Sequence, residues 1–102
     1  MEAATVAVPQ HMAALAEANR VRLKRAELKR RIKAGEETVA NVLERIPEYA
    51  GTMPVGDLLR AQRRWAKGRT HIFLRRLHVN ENRSLDDLTR RQRAMIAAEL
   101  GA

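Results

Sequence analysis

The chain has 102 residues, with 20 Lys and Arg against 12 acids and a formal net charge of +8 at pH 7. That length allows one domain with one modest core, and the absence of cysteine excludes disulfides and thiolate metal sites. The basic excess predicts attraction to polyanions, with nucleic acid ahead of an anionic membrane and of a ribosomal or acidic-protein surface.

The opening MEAATVAVPQ has neither the basic start nor the sustained apolar middle of a secretory signal. No apolar run approaches the ~18–20 residues that cross a bilayer, so a cytoplasmic protein with no membrane contact is expected. Residues 1–9 carry little pattern and are expected to be flexible. Pro9 can occupy the first turn of a helix, where its missing N–H costs nothing. From Gln10 to Ala34 the chain is rich in strong helix formers, and Gly35 supplies the stop. At about 100° per residue, Ala14, Val21, Leu28 and Ile32 make one narrow apolar stripe, so the N-terminal half of this helix should stand in solvent. Its cations are dense: Arg20, Arg22, Lys24, Arg25, Lys29, Arg30, Arg31 and Lys33. Arg22, Lys29 and Lys33 lie on one flank of the stripe, and Arg20, Lys24 and Arg31 on the other. Only Glu17 and Glu27 offset them nearby. A charge run is often just a solvated face, but this density points to phosphate contact.

A second helix is predicted over Thr38 to Ile46, with Val39, Val42, Leu43 and Ile46 at helical spacing and Pro47 as its end. Glu48 to Met53 form a connector turning at Gly51, and Pro54 starts a third helix. The third and fourth helices form a hairpin across Leu58–Leu77. Val55, Leu58, Leu59, Gln62 and Trp65 line the first arm, and Ile72, Phe73 and Leu77 line the second. The turn is placed at Trp65–Thr70, with Gly68 supplying a left-handed or close-approach conformation. Arg63, Arg64, Lys67, Arg69, Arg75 and Arg76 surround it. Free N–H groups leading into a helix, with cations beside them, make a seat for phosphate. Trp65 ends the apolar stripe of its arm and is read as core in preference to a wedge between bases.

After a loop at Asn80–Asn82, two capping patterns compete for the last helix: Ser84 with Asp87, and Thr89 with Gln92. Thr89 is the preferred start, with Leu85 and Leu88 tucked into the core before it. The helix then runs to about Glu99, burying Met95, Ile96 and Leu100 and showing Arg90, Arg91 and Arg93 outward. Nothing alternates like a strand, so the expected fold is all-α with five helices: a flexible 1–9, a long basic helix 10–35 and a compact helical part 36–102. His71 and His78 lie about 10.5 Å apart along one helix, too far for one metal. Asp86 and Asp87 suit a helix N-terminus. No nucleophile–base pair or phosphate-binding glycine loop is present, so a non-enzyme without cofactor is expected.

The blocks Arg25-Ala-Glu-Leu-Lys29 with Gly35, Asn41-Val-Leu43, Gly51-Thr-Met53, Leu58-Leu59 with Ala61, and Arg91-Gln-Arg93 keep an order and spacing that resembles the actinobacterial type of integration host factor. The resemblance runs from Gln10 to Glu99. It implies a long N-terminal helix and a compact part carrying a helix–two-turns–helix module. It also implies a monomeric nucleoid protein that holds duplex DNA with little sequence selectivity, bends or compacts it, and assists phage-type recombinases. Two departures mark a divergent member, of host or phage origin. The family's turn reads Val-Gly-Lys-Val where this chain has Trp65-Ala66-Lys67-Gly68, and a three-arginine patch keeps Arg83 but has Ser84 and Asp86 at the other two positions.

The expected DNA contacts are therefore Arg63, Arg64, Ala66, Lys67, Gly68, Arg69 and Thr70 at the hairpin, Arg83, Arg90, Arg91 and Arg93 around the last helix, and Arg20, Arg22, Lys24, Arg25 and Lys29 on the long helix. A structured-RNA or ribosome-associated binder using the same hairpin is the alternative. A helical adaptor docking an acidic partner or membrane is the third reading.

Overall fold

The computed structural model describes the backbone of residues 2–101 and the side chains of residues 10–101. Five α-helices follow in order: α1 (Glu2–Lys33), α2 (Val39–Glu44), α3 (Val55–Arg60), α4 (Lys67–Arg76) and α5 (Arg90–Gly101). Short 3₁₀ turns occupy Glu48–Ala50 and Leu85–Asp87. Among the described residues there is no strand, and no helix is long and apolar enough to cross a membrane. The all-α architecture with a long first helix is the expected one.

The bounds of α1 begin ahead of Pro9, where the sequence placed its first turn. Of the segment 1–9 expected to be flexible, the backbone from Glu2 belongs to α1, and its side chains lie outside the described residues. At its other end α1 stops as anticipated. Gly35 takes φ +80°, its N–H donates to the Ile32 carbonyl at 3.1 Å, and the Glu36 N–H donates to the Arg31 carbonyl at 2.9 Å. This is the left-handed cap that glycine adopts without a Cβ penalty. Only the C-terminal half of α1 reaches the core, through Leu28 and Ile32, while every residue from Gln10 to Asn19 is exposed. The protruding rod makes the molecule long, 61 × 27 × 24 Å.

Helix starts follow local chemistry. Thr38 caps α2 by accepting from the Asn41 N–H at 3.1 Å. Thr89 and Gln92 cap α5 reciprocally: the Gln92 N–H donates to Thr89 Oγ1 at 3.0 Å and the Thr89 N–H donates to Gln92 Oε1 at 2.9 Å. Ser84 makes no side-chain cap, so the competing start is only a 3₁₀ turn.

The core gathers Val39, Val42 and Leu43 from α2, Val55, Leu58 and Leu59 from α3, Leu74 from α4 and Ile96 from α5. Met53, Val79, Leu85 and Leu88 fill it from the connectors. Each such side chain contributes about 1.5–3 kcal/mol when removed from water.

One non-helical device fixes the hairpin. Segments 51–56 and 81–86 exchange backbone bonds: Val55 N–H to Arg83 O (2.8 Å), Gly56 N–H to Glu81 O (2.9 Å), Leu85 N–H to Met53 O (3.0 Å) and Asp86 N–H to Gly51 O (2.9 Å). The start of α3 is thereby tied to the loop that leaves α4. Gly51 permits this, since a Cβ there would run into the Asp86 carboxylate.

Candidate nucleic-acid interface

The arms and turn of the hairpin differ from the sequence expectation. α3 ends at Arg60, and Gln62 and Trp65 lie in the connection instead of extending the helix. That connection is two successive turns, closed by Gln62 N–H to Leu59 O and Trp65 N–H to Gln62 O, both 3.1 Å. Arg64, not Gly68, takes the left-handed conformation, with φ +69°. Gly68 sits inside the first turn of α4, where a Cβ would meet nothing within 4 Å. The turn therefore spans Ala61–Ala66, and Lys67 to Thr70 are already helical.

This shift changes which face of α4 is buried. The inward face is Thr70 and Leu74, both buried, with Leu77 half-buried at the same helical spacing. Ile72, expected inside, is 60% exposed. Thr70, expected at the DNA, is fully buried and its Oγ1 has no hydrogen-bond partner, so its side chain is excluded from contact with a ligand.

What remains outside is an open helix end. Ala66 is the N-cap residue and has no side chain to cap with. The first bond into the helix is Thr70 N–H to Ala66 O, at 3.1 Å. The N–H groups of Lys67, Gly68 and Arg69 therefore have no intrahelical acceptor, and no acid lies in the first turn. Helix N-termini carry about half a positive charge, and here Arg63, Arg64, Lys67 and Arg69, all exposed, add four more. The Arg69 guanidinium lies 4.3 Å from the Trp65 ring centroid, and Trp65 meets Phe73 edge-on at 5.0 Å. Trp65 is half-buried against the core, in keeping with its core reading.

The arginine ion pairs lie elsewhere. Among the described residues the Arg ion pairs engage Arg20 with Glu17 and Glu48, Arg30 with Glu27 and Glu36, Arg31 with Glu37, and Arg60 with Asp57 and Glu81. The hydrogen bonds from Arg20 and Arg30 hold the Glu17 and Glu27 carboxyls below the usual carboxylate range and raise both guanidiniums in return. None of these pairs reaches the first turn of α4.

The long helix contributes selectively. Lys29, Arg30 and Lys33 share an open groove of about 630 Å³ with Arg64, Trp65 and Ala66, so the C-terminal half of α1 and the hairpin form one basic surface. Lys33, one of the helix cations on the Lys29 flank but outside the expected contacts, joins them in this groove. Lys24 is exposed, with its Nζ 6.0 Å from the Tyr49 ring centroid. Arg22 donates to Asn19 Oδ1 at 2.7 Å. Arg25 is structural: its Nε donates to the Tyr49 carbonyl at 2.7 Å and its Nη2 to Thr52 Oγ1 at 2.6 Å, clamping α1 to the body. Arg20, bound to two glutamates, is likewise engaged within the chain.

The last helix stands apart. Its C-terminal Glu99 and Leu100 border the hairpin beside Trp65, Gly68 and Arg69. Arg90 is nine residues earlier, roughly 14 Å along the axis. Arg90 and Arg91 are exposed there; Arg93 is half-buried and donates to Leu88 O at 3.4 Å, and Arg83 donates to Asp87 O at 3.1 Å. These cations form no single site with the hairpin.

No family model matches the chain, and no curated protein does. A solved structure does: sIHF bound to an 8-bp palindromic DNA, with a TM-score of 0.76 and 28% identity. The match covers 81% of this chain and 96% of the other. The two chains share a fold. The open α4 end and its cations thus belong to an architecture that, in sIHF, has been solved with DNA.

Proposed function

We propose that this chain is an architectural, non-enzymatic duplex-DNA-binding protein, a divergent relative of sIHF that engages DNA mainly through its phosphates. The observation that carries the reading is the α4 N-terminus: three N–H groups without an intrahelical acceptor, no capping side chain, and four exposed cations outside the ion pairs. A backbone phosphate satisfies those donors and the local charge together. Lys29 and Lys33 extend the contact along the duplex from the adjoining groove.

In this reading residues 10–35 are the basic helix and 36–102 the helical DNA-binding part, and one copy holds a complete contact surface. Phosphate contact positions the protein without reading bases, so selectivity is low and follows DNA deformability. Bending or compaction of DNA in the nucleoid, and help to a phage-type recombinase, are the roles such a contact serves.

The test is binding of one protein to duplex DNA, single-stranded DNA and structured RNA in competition. Duplex should win, and Lys67→Glu with Arg69→Glu should weaken it at least tenfold with unchanged helicity. Preference for structured RNA would move the chain to the RNA-binding reading, and unchanged duplex affinity in the double variant would remove the α4 site.

A further inference from the structure

α1 carries a second apolar stripe, on the face opposite the core. Met12, Leu15 and Leu23 are 58%, 53% and 56% exposed, three of the four large hydrophobic side chains that stand in solvent among the described residues. With Ala16, Asn19 and Ala26, all exposed, they fall within a sector of about 100° at the 3.6-residue repeat. Val21, Leu28 and Ile32 lie about 180° away and face the body. A helix normally buries the apolar residues it aligns, yet among the described residues nothing covers Met12, Leu15 or Leu23.

We propose that the stripe is covered by α1 of a second copy, running antiparallel about a two-fold axis at Asn19. That register makes the stripe complementary to itself. Leu15 comes level with Leu23 of the second copy, Met12 with the small Ala26, and Asn19 with its own mate. Each contact occurs twice, as an isologous pair requires. A single Asn in an apolar seam selects a register; Asn19 Oδ1 accepts from Arg22 at 2.7 Å, which leaves its second lone pair and its NH2 group to pair with the mate across the axis.

Charge selects the direction. Gln10 to Asn19 contain Glu17 and no Lys or Arg, whereas Arg20, Arg22, Lys24 and Arg25 follow within six residues. Antiparallel helices set the cation-free half of each copy beside the cation-rich half of the other. Parallel helices would set the four cations of one beside the four of its mate, which is repulsive. The contact is short compared with the ~1,200–2,000 Å² of a stable interface, so the association belongs to the weak, transient class. The two surfaces adjoin at Ala26, which also lines the groove of Lys29, Lys33 and Arg64, whereas Met12, Leu15, Asn19 and Leu23 lie outside that groove.

The chain has no native cysteine, which allows a direct test with the whole protein. Under mild oxidation Asn19→Cys should form a covalent dimer and Met12→Cys should not. Met12→Cys combined with Ala26→Cys should cross-link again, because those positions meet only between copies. Adding Leu15→Asp and Leu23→Asp to Asn19→Cys should abolish the dimer, with helicity and duplex affinity retained. The proposal fails if Asn19→Cys stays monomeric, if Met12→Cys alone cross-links equally well, or if the dimer survives both aspartates.

Discussion

Ala66 and Gly68 depart most from the turn of the family that the sequence resembles, and the backbone accommodates both residues without strain. Ala66 sits at φ −83° and ψ 178°, extended geometry open to any residue, so no glycine is needed at the helix start. Gly68 has no steric neighbour and no positive φ, so neither packing nor backbone conformation calls for a glycine, and close approach by the proposed phosphate is the use it would serve. Gly68→Ala should therefore stabilise the fold by up to about 1 kcal/mol while lowering duplex affinity, as thermal melting and anisotropy titration would show. Thr70 is the converse case. Its buried hydroxyl has no partner, so Thr70→Val should raise stability by about 1 kcal/mol and leave duplex affinity unchanged. Affinity lost in that variant would put Thr70 back at the ligand. Placing the turn four residues too late hid this in the sequence: Thr70 and Leu74 make a buried i, i+4 pair only once α4 begins at Lys67.

Among the elements, those set by neighbouring residues were readable and those set by packing were not. Gly35 and the Thr89–Gln92 pair act within one turn of chain, and both behave as expected. The end of α3 depends on tertiary contacts, and its apolar spacing continued through Gln62 and Trp65 as though the helix did. Arg25 shows the same limit: a basic residue in a basic run became a clamp because Tyr49 and Thr52 happen to lie beside it. Arg25→Ala should loosen α1 from the body, costing about 1.5–3 kcal/mol for hydrogen bonds to a charged group. Hydrogen exchange should then rise along residues 20–33. If exchange there stays unchanged, Arg25 has no clamping role.

At the scale of the molecule, eight acid–base contacts among the described residues spread over the rod and the base of the hairpin and leave the first turn of α4 with no acid of its own, Glu99 of α5 bordering it from outside. Net charge was legible from composition, but where it remains uncompensated depends on which acids reach which arginines. The resulting basic surface joins the Lys29–Lys33 flank of α1 to the hairpin turns, and the sequence held these as two separate candidates. The central claim is that duplex DNA is held at the N–H groups of Lys67, Gly68 and Arg69. It is tested most directly by NMR, titrating a short duplex into ¹⁵N-labelled protein and following every backbone amide. These three amides should show the largest shift changes, and added salt should reverse them. Large changes confined to Arg83 and Arg90–Arg93, with the α4 amides unmoved, would contradict the claim.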